Sequence, residues 1–298
     1  MASDPFPTAV PSGPAASRPG QGGLVWRPAP PGSAAAEAGD WPPVLIADDL
    51  LERGVVAAFT SRAGGSSPPP YDSLNLGLRI GDEPRRVLAN RRRVLTVLGL
   101  AGRPIACLRQ VHGDRVVPAR LAGLGPGPPE GKAPMAEADG LVVTAADPEP
   151  VLMVLAADCV PVLLADPEAR VGAAVHAGWR GTAAGVVEAG VAALAAAGGD
   201  PARTIALIGP CIGPAAYEVG PDVRDQVAAR YPVAAAETPA GTPALDLAAA
   251  ADAALRAAGV AEIRAANAST AHEPDRWFSY RRDGTTGRQA GLLALVAS

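Results

Sequence analysis

Between Val151 and Gly181 the chain reads VLMVLAADCVPVLLADPEARVGAAVHAGWRG, and this stretch limits the fold more than any other. Val151–Ala157 and Val162–Ala165 are apolar runs of strand length. Asp166-Pro167-Glu168-Ala169 supplies a turn, after which Val171–Val175 returns. Short apolar runs bounded by turn residues are the pattern of buried strands. A turn centred between Pro167 and Glu168 sets Cys159 directly opposite His176. Residues so opposed in an antiparallel pair hold their Cβ atoms roughly 4.5–5.5 Å apart on one face. A thiolate and an imidazole at that separation can share one ion, since Zn–S is about 2.3 Å and Zn–N about 2.0 Å. A loop of another length would move the register, and Pro161 predicts a bulge or a sheet edge nearby.

The rest of the chain supports a single body preceded by a Pro/Gly/Ala-rich tail. Residues 1–43 are dominated by Pro, Gly, Ala and Ser and offer few large apolar side chains. Such a segment cannot offset its ordering entropy by burial, so a disordered tail is expected, whose removal leaves stability nearly unchanged. Its Trp26 and Trp41 could pack on the body. One catalytic domain is expected over 44–298. Within it, Val55–Thr60 reads as a strand, followed by Ser61-Arg62-Ala63-Gly64-Gly65-Ser66 and the segment Tyr71–Gly77. The paired glycines permit close backbone approach to a ligand, and a plain hairpin tip explains them equally well. Pro84 opens a helix to Leu98 with Val87, Leu88, Val94, Leu95 and Leu98 on one face and Arg91–Arg93 mostly on the other.

Three segments carry chemistry. Ala106–Val111 reads as a strand ending at His112-Gly113, and His112 is one of only three histidines. After His176, Gly178-Trp179-Arg180-Gly181-Thr182 starts an Ala-rich helix running to Ala197. A helix N-terminus offers free N–H groups to an anion, and Arg180 adds a bidentate cationic fork. Near the end, Arg281, Arg282 and Arg288 flank Gly284 and Gly287, a composition that suits an oxyanion and equally a salt-bridged loop. Cys211, among turn residues, reads as packing, and His272 as a surface residue.

Composition enters as exclusion. A net charge of −4 argues against a general nucleic-acid or membrane-surface binder. Three cysteines without framework spacing argue for a reducing compartment rather than a disulfide scaffold. No run approaches a membrane span, and no basic-then-apolar leader opens the chain, so a cytoplasmic protein is expected. The sequence holds no Walker loop, GxGxxG, CxxC or GxSxG motif, which counts against nucleotide hydrolysis, dinucleotide redox and serine esterase chemistry.

Gln110-Val111-His112-Gly113, Ala157-Asp158-Cys159-Val160-Pro161-Val162, Val175-His176-Ala177-Gly178-Trp179-Arg180-Gly181, Ile208-Gly209-Pro210-Cys211-Ile212-Gly213 and Phe278-Ser279-Tyr280-Arg281-Arg282 closely resemble the motifs of the YfiH-type, or laccase-domain, family. The resemblance runs from about Val44 to the end. It implies an α/β (α+β) fold, a layered αββα sandwich with mixed, largely antiparallel sheets. It implies zinc held by His112, Cys159 and His176, with copper the second choice. It also implies purine nucleoside phosphorylase activity on adenosine, inosine or guanosine with phosphate, and deamination of adenosine in some members. Asp158, Cys159 and Arg180 are the candidate catalytic residues. Arg62 and Asn75 are implied substrate contacts, joined by Gln110, Arg281 and Arg288. The expected partners are nucleoside and phosphate, with no nucleic acid and no membrane, on a monomer or weak homodimer. Members commonly carry Cys-Thr where this chain has Ser269-Thr270, so a further thiol for copper is missing. Ligand counting also argues against a laccase, because several copper centres cannot be built from three histidines.

Two other functions stay open on the sequence. Cys159 could be a nucleophile with His176 as its base, in a cysteine hydrolase editing peptidoglycan precursors, an activity also attributed to this family. A non-catalytic binding module fits least, since nothing in such a module requires Cys159, His176 and His112 at strand ends.

Overall fold

The computed structural model describes residues 23–27, 42–124, 135–147 and 149–297. Two sheets stack face to face. The first orders its strands as β1 (Leu24–Arg27), β2 (Val44–Ala47), β3 (Val55–Thr60), β15 (Gln289–Leu295), β8 (Val151–Ala156), β4 (Ile105–Cys107) and β6 (Gly123–Leu124). The second orders β14 (Glu262–Ala265), β11 (Ile205–Ile208), β9 (Val160–Asp166), β10 (Val171–Ala177), β7 (Gly140–Thr144) and β5 (Val116–Pro118). Pairing is antiparallel except for β4 with β8, β5 with β7 and β11 with β14. A separate hairpin joins β12 (Ala235–Glu237) to β13 (Pro243–Leu245). This is the expected mixed, largely antiparallel layered architecture.

Alternation along the strands builds three cores. Leu152 and Val154 of β8, Phe59 of β3 and Leu293 of β15 meet Leu141, Leu163, Ala174 and Leu207 between the sheets. The opposite side chains of the first sheet, among them Val56, Val151, Met153 and Leu292, pack under helix α2 (Pro84–Val97) through Val94 and Leu95. Those of the second, including Val162, Leu164, Val171 and Val175, pack under α4 (Val186–Ala196) and α6 (Leu247–Ala257). Every residue of β9 and β10 is buried, as expected of central strands covered on both faces. Among the described residues no helix is long and apolar enough to cross a membrane.

Four expectations are corrected by this architecture. First, the runs read as Val151–Ala157 and Val162–Ala165 are strands over Val151–Ala156 and Val160–Asp166, which pair in different sheets, so Ala157–Cys159 is a crossing between layers. Second, Asp166 lies opposite Val171 and His176 opposite Pro161, not opposite Cys159. The loop is Pro167–Arg170, because the Asp166 carboxylate accepts hydrogen bonds from Glu168 N and Ala169 N, both at 3.1 Å, and so extends the turn. Arg170 closes it in the left-handed region at φ 53°. An even shift of register preserves the face, which leaves Cys159 diagonal to His176 on the same side. Third, the Ala-rich helix is two helices, α3 (Trp179–Ala184) and α4, broken at Gly185 with φ 95°. Fourth, Arg91 is buried and donates to Leu76 O at 2.7 and 3.0 Å rather than facing water.

The leader also differs from expectation over its described part. Leu24–Arg27 adds an edge strand to β2, and the Trp26 ring lies 5.4 Å from that of buried Trp277. The other residues of 1–43, Trp41 included, lie outside the described residues apart from Pro42, Pro43 and Gly23. On the composition argument alone, truncation through Gly22 should leave the thermal midpoint unchanged. Truncation through Arg27 should lower it by about 2–8 °C, the effect of losing roughly 1–2 kcal/mol of edge pairing and aromatic contact. Equal midpoints in calorimetry would show that β1 contributes nothing.

Candidate metal centre and active site

Three segments arriving from different strands meet at one end of the sandwich. His112 follows β4, Cys159 ends the crossing from β8 to β9, and His176 stands near the end of β10. The ligand atoms of these three residues lie within 4.8 Å of one another, with Cys159 Sγ 3.9 Å from His112 Nε2. The two imidazole rings meet edge to face, centroids 4.9 Å apart. Both ligand-bearing loops depart from ordinary backbone: His112 has φ 61° and its counterpart Asp158, beside Cys159, has φ 97°. Left-handed non-glycine residues concentrate at functional sites, where surrounding structure holds the strain.

What holds it here is a pair of buried carboxylates. Asp139, fully buried at the head of β7, accepts from His112 N at 2.9 Å, Gly113 N at 2.7 Å and Val111 N at 3.2 Å. The same carboxylate lies 2.9 Å from His176 Nδ1. Asp158 accepts from Thr270 Oγ1 at 2.6 Å and Arg281 N at 2.7 Å, which ties Cys159 to the C-terminal loop.

Electrostatics then prepare the thiol. The apolar surroundings by themselves push Cys159 up. The nearby His176 charge and a hydrogen bond from His112 more than offset this and bring it down to about 6. Burial works against charge on His176, yet the Cys159 thiolate and Asp139 raise it to about 9. Each charge thus favours the other, which draws the pair toward thiolate and imidazolium. A cation entering the cluster finds a ready thiolate and must displace one proton from His176.

The cluster forms part of the wall of a cavity of about 700 Å³. Leu78, Ile80, Leu108, Met135, Leu155, Trp179, Tyr217 and Tyr280 supply apolar and aromatic wall. Arg79, Arg91, Arg109, Arg180, Arg281 and Arg288 line it against one described acid, Asp158. Such a cavity attracts anions. Arg180 is exposed, its guanidinium stacks on Trp179 at 4.3 Å, and that group hydrogen-bonds to no described residue. Arg281 is partly engaged by Glu218 O at 2.7 Å, and Arg288 by Thr286 O and Gly287 O, both at 2.9 Å. α3 is too short for its N-terminus to serve as an anion site by itself, which leaves Arg180 as the cationic element there.

Most of the candidates read from the sequence therefore converge: Gln110, His112, Asp158, Cys159, His176, Arg180, Arg281 and Arg288 all line this cavity. Gln110 does so as a brace, its amide pairing with Leu155 N and O at 2.8 Å each. Arg62 and Asn75 stand behind the wall. Arg62 donates to Asp72 O at 3.0 Å and Pro274 O at 2.8 Å; Asn75, fully buried, accepts from Gly77 N and Arg288 N, both at 2.9 Å. They shape the loop and seat Arg288. Sequence reasoning missed Asp139 and the aromatic wall of Tyr217 and Tyr280. An acid heading an otherwise apolar strand, Ala138-Asp139-Gly140-Leu141, was the available signal for Asp139.

Known proteins resemble this chain in sequence and in fold. The family described as multi-copper polyphenol oxidoreductase laccase matches residues 56–296. A Streptomyces coelicolor protein named purine nucleoside phosphorylase is 45% identical over 242 residues, which are 81% of this chain and 96% of that protein. The Escherichia coli protein named purine nucleoside phosphorylase YfiH is 39% identical over 246 residues, 82% and 95% of the two chains. Among solved structures, YlmD from Geobacillus stearothermophilus superposes with a TM-score of 0.76 at 33% identity, over 85% of this chain and 96% of that one. On the match over 56–296 and these relatives, the chain belongs to the multi-copper polyphenol oxidoreductase laccase family, in its YfiH-type branch.

Proposed function

We propose that this protein is a zinc-dependent purine nucleoside phosphorylase acting on adenosine, inosine or guanosine, with deamination of adenosine as a second activity. One observation carries the reading: the thiolate–imidazole cluster opens into an aromatic-walled, arginine-lined cavity large enough for a nucleoside and phosphate. The names of the relatives support the same class of reaction.

The donor set fits zinc. Two imidazoles and one thiolate are three N/S ligands, the pattern of a catalytic site that keeps a position open. Copper accepts the same donors. Multicopper chemistry needs more centres, and the remaining histidine, His272, is exposed and bonded to Ser269. When bound, zinc supplies a Lewis acid that orients and polarises the attacking oxygen.

The chain's own groups do the rest. Arg180 receives phosphate, with Arg281 and Arg288 behind it, while Trp179, Tyr217 and Tyr280 flank the purine. In phosphorolysis the C1′–N9 bond breaks with its electron pair leaving on the base. A phosphate oxygen bonds to C1′, and the base gains one proton. Asp158 is the candidate donor of that proton, although both its oxygens accept hydrogen bonds in the ligand-free arrangement. To donate, Asp158 must first take a proton, which dihydrogen phosphate entering as co-substrate supplies, on an oxygen freed from the Thr270 or Arg281 contact; in the arrangement seen here the carboxylate holds Cys159 in place.

The deciding assay is release of base from adenosine, inosine or guanosine with and without phosphate, following ribose 1-phosphate and ammonia. Base release independent of phosphate would end the phosphorylase reading. Arg180→Ala should raise the KM for phosphate about 10-fold or more and that for nucleoside far less, as expected for losing a charged hydrogen bond. Unchanged phosphate dependence would move the anion site to Arg281 or Arg288.

A second reading has its own observation. Asp139, His176 and Cys159 also form an orienter, base and nucleophile, with the thiol brought down to about 6. A cysteine hydrolase would keep its activity when zinc is removed by a chelator; the phosphorylase would lose it.

A further inference from the structure

We infer that Asp139 is the positioning residue that makes His112 and His176 a matched pair of metal ligands. The inference rests on the metal reading above and goes beyond it by assigning a residue outside the ligand set. One fully buried carboxylate serves both histidines, by different means. To His176 it presents Oδ1, 2.9 Å from Nδ1. A carboxylate accepts only, so Nδ1 must carry hydrogen, which leaves Nε2 as the ring's free lone pair. To His112 it presents both oxygens through the backbone. His112 N reaches Oδ1, and Val111 N and Gly113 N reach Oδ2. Three successive N–H groups converging on one carboxylate fix a peptide turn whose middle residue stands at φ 61°. The turn aims the His112 ring at Cys159, its Nε2 3.9 Å from Sγ.

Asp139 is also tied in by its own backbone, since its carbonyl accepts from His176 N at 2.7 Å. The β7–β10 pairing that delivers His176 thus delivers Asp139 with it. Second-layer carboxylates of this kind orient ligating imidazoles and typically matter about 10- to 100-fold in metal affinity. Here one carboxylate sets a tautomer and a loop together, so its loss disturbs two ligands at once.

Asp139→Asn is the direct test, because it keeps size and removes one acceptor. Its amide must turn NH₂ either toward His176 Nδ1 and His112 N–H, or toward Val111 and Gly113 N–H. In the first orientation the ring hydrogen is driven to Nε2, on the metal side. The control is Asp166→Asn. Asp166 is equally buried and accepts from Glu168, Ala169, Asp200 and Arg203, but lies at the far end of the β9–β10 hairpin.

Zinc affinity is measured on the full chain by competition with a chromophoric chelator, and thermal midpoint on the metal-free form. Asp139→Asn is expected to bind zinc about 10- to 100-fold more weakly. With cobalt in place of zinc, the thiolate charge-transfer band should weaken or shift. Asp166→Asn should lower the midpoint and leave affinity and band unchanged. Should Asp139→Asn not fold, nitrogen-15 NMR of wild-type imidazoles decides: the assignment requires hydrogen on Nδ1 of His176 in the zinc form. Equal zinc affinity in a folded Asp139→Asn, or hydrogen on Nε2 in the wild type, overturns the assignment. A wild-type chain that binds no zinc overturns the metal reading as well. Absence of phosphorolysis, with the affinity difference intact, overturns the reaction alone.

Discussion

Cys159→Ala should lose most of its bound metal and nearly all activity while the chain stays folded. A thiolate held down to about 6 is the cluster's only anionic donor, and without it two neutral imidazoles bind zinc weakly. The fold does not depend on it. Cys159 lies in the crossing before β9, outside the three cores, whose buried residues hold the sandwich without it. The expected loss of turnover is on the order of 10³-fold or more, as when one member of a catalytic unit is removed. Cys159→Ser should behave almost as badly, because a hydroxyl stays protonated at neutral pH and is a poor zinc ligand. Metal analysis on protein purified in parallel, with circular dichroism as the check on folding, measures this. Full zinc occupancy in Cys159→Ala would remove Cys159 from the ligand set and return it to the nucleophile role.

The cysteine substitutions also separate the two chemistries that the cluster supports. A nucleophile and a ligand are lost alike in Cys159→Ala, but only a ligand predicts that chelation of the wild type has the same consequence. The metal-free wild type, with Cys159 a thiolate and His176 an imidazolium, should then be open to alkylation at Cys159, and bound zinc should protect it.

Much of this was legible in the chain because the signals are local. Short apolar runs between turn residues mark β3, β8, β9 and β10, and the stripe of Val87, Leu88, Val94 and Leu95 marks α2. The three ligands could be named because histidine is scarce and two of the three stand at strand ends beside small residues. Where reading failed, the deciding interaction was distant or lay in a side chain. The register of β9 on β10 turned on the Asp166 carboxylate capturing two loop N–H groups, so the loop outgrew a two-residue turn. Arg91 looks solvated in a run of three arginines, yet the loop between β3 and α2 passes over it and Leu76 O takes its hydrogen bonds. Leu24–Arg27 looks like part of a Pro/Gly/Ala-rich tail, and only its pairing with β2 and the contact of Trp26 with Trp277 give it structure. Asn75 sits in a loop that suits a ligand, and its amide is spent on Gly77, Asp82 and Arg288.

Gly178→Ala should disable the metal centre without touching a ligand. Gly178 has φ −81° and ψ 168°, a conformation any residue adopts, so alanine there adds no backbone strain. The obstacle is space. A Cβ at this position would stand 2.6 Å from His112 Cδ2 and 3.0 Å from Cys159 Sγ. Neither neighbour can yield freely, since His112 is pinned through its backbone by Asp139 and Cys159 follows the strained Asp158. Overpacking of this kind costs about 1–3 kcal/mol. If the loss falls on ligand geometry, it lowers zinc affinity by about 5- to 150-fold, since each 1.4 kcal/mol is a factor of ten. Gly220→Ala is the matched control, at a helix N-cap with φ −62° and open space around its Cβ position, and should change neither affinity nor turnover. The metal-free midpoint of Gly178→Ala should fall by only a few degrees, because the displaced groups border the cavity rather than the core between the sheets. Wild-type zinc affinity and kinetics in Gly178→Ala would mean that His112 and Cys159 move aside at no cost, and that the cluster is not held as tightly as its hydrogen bonds imply.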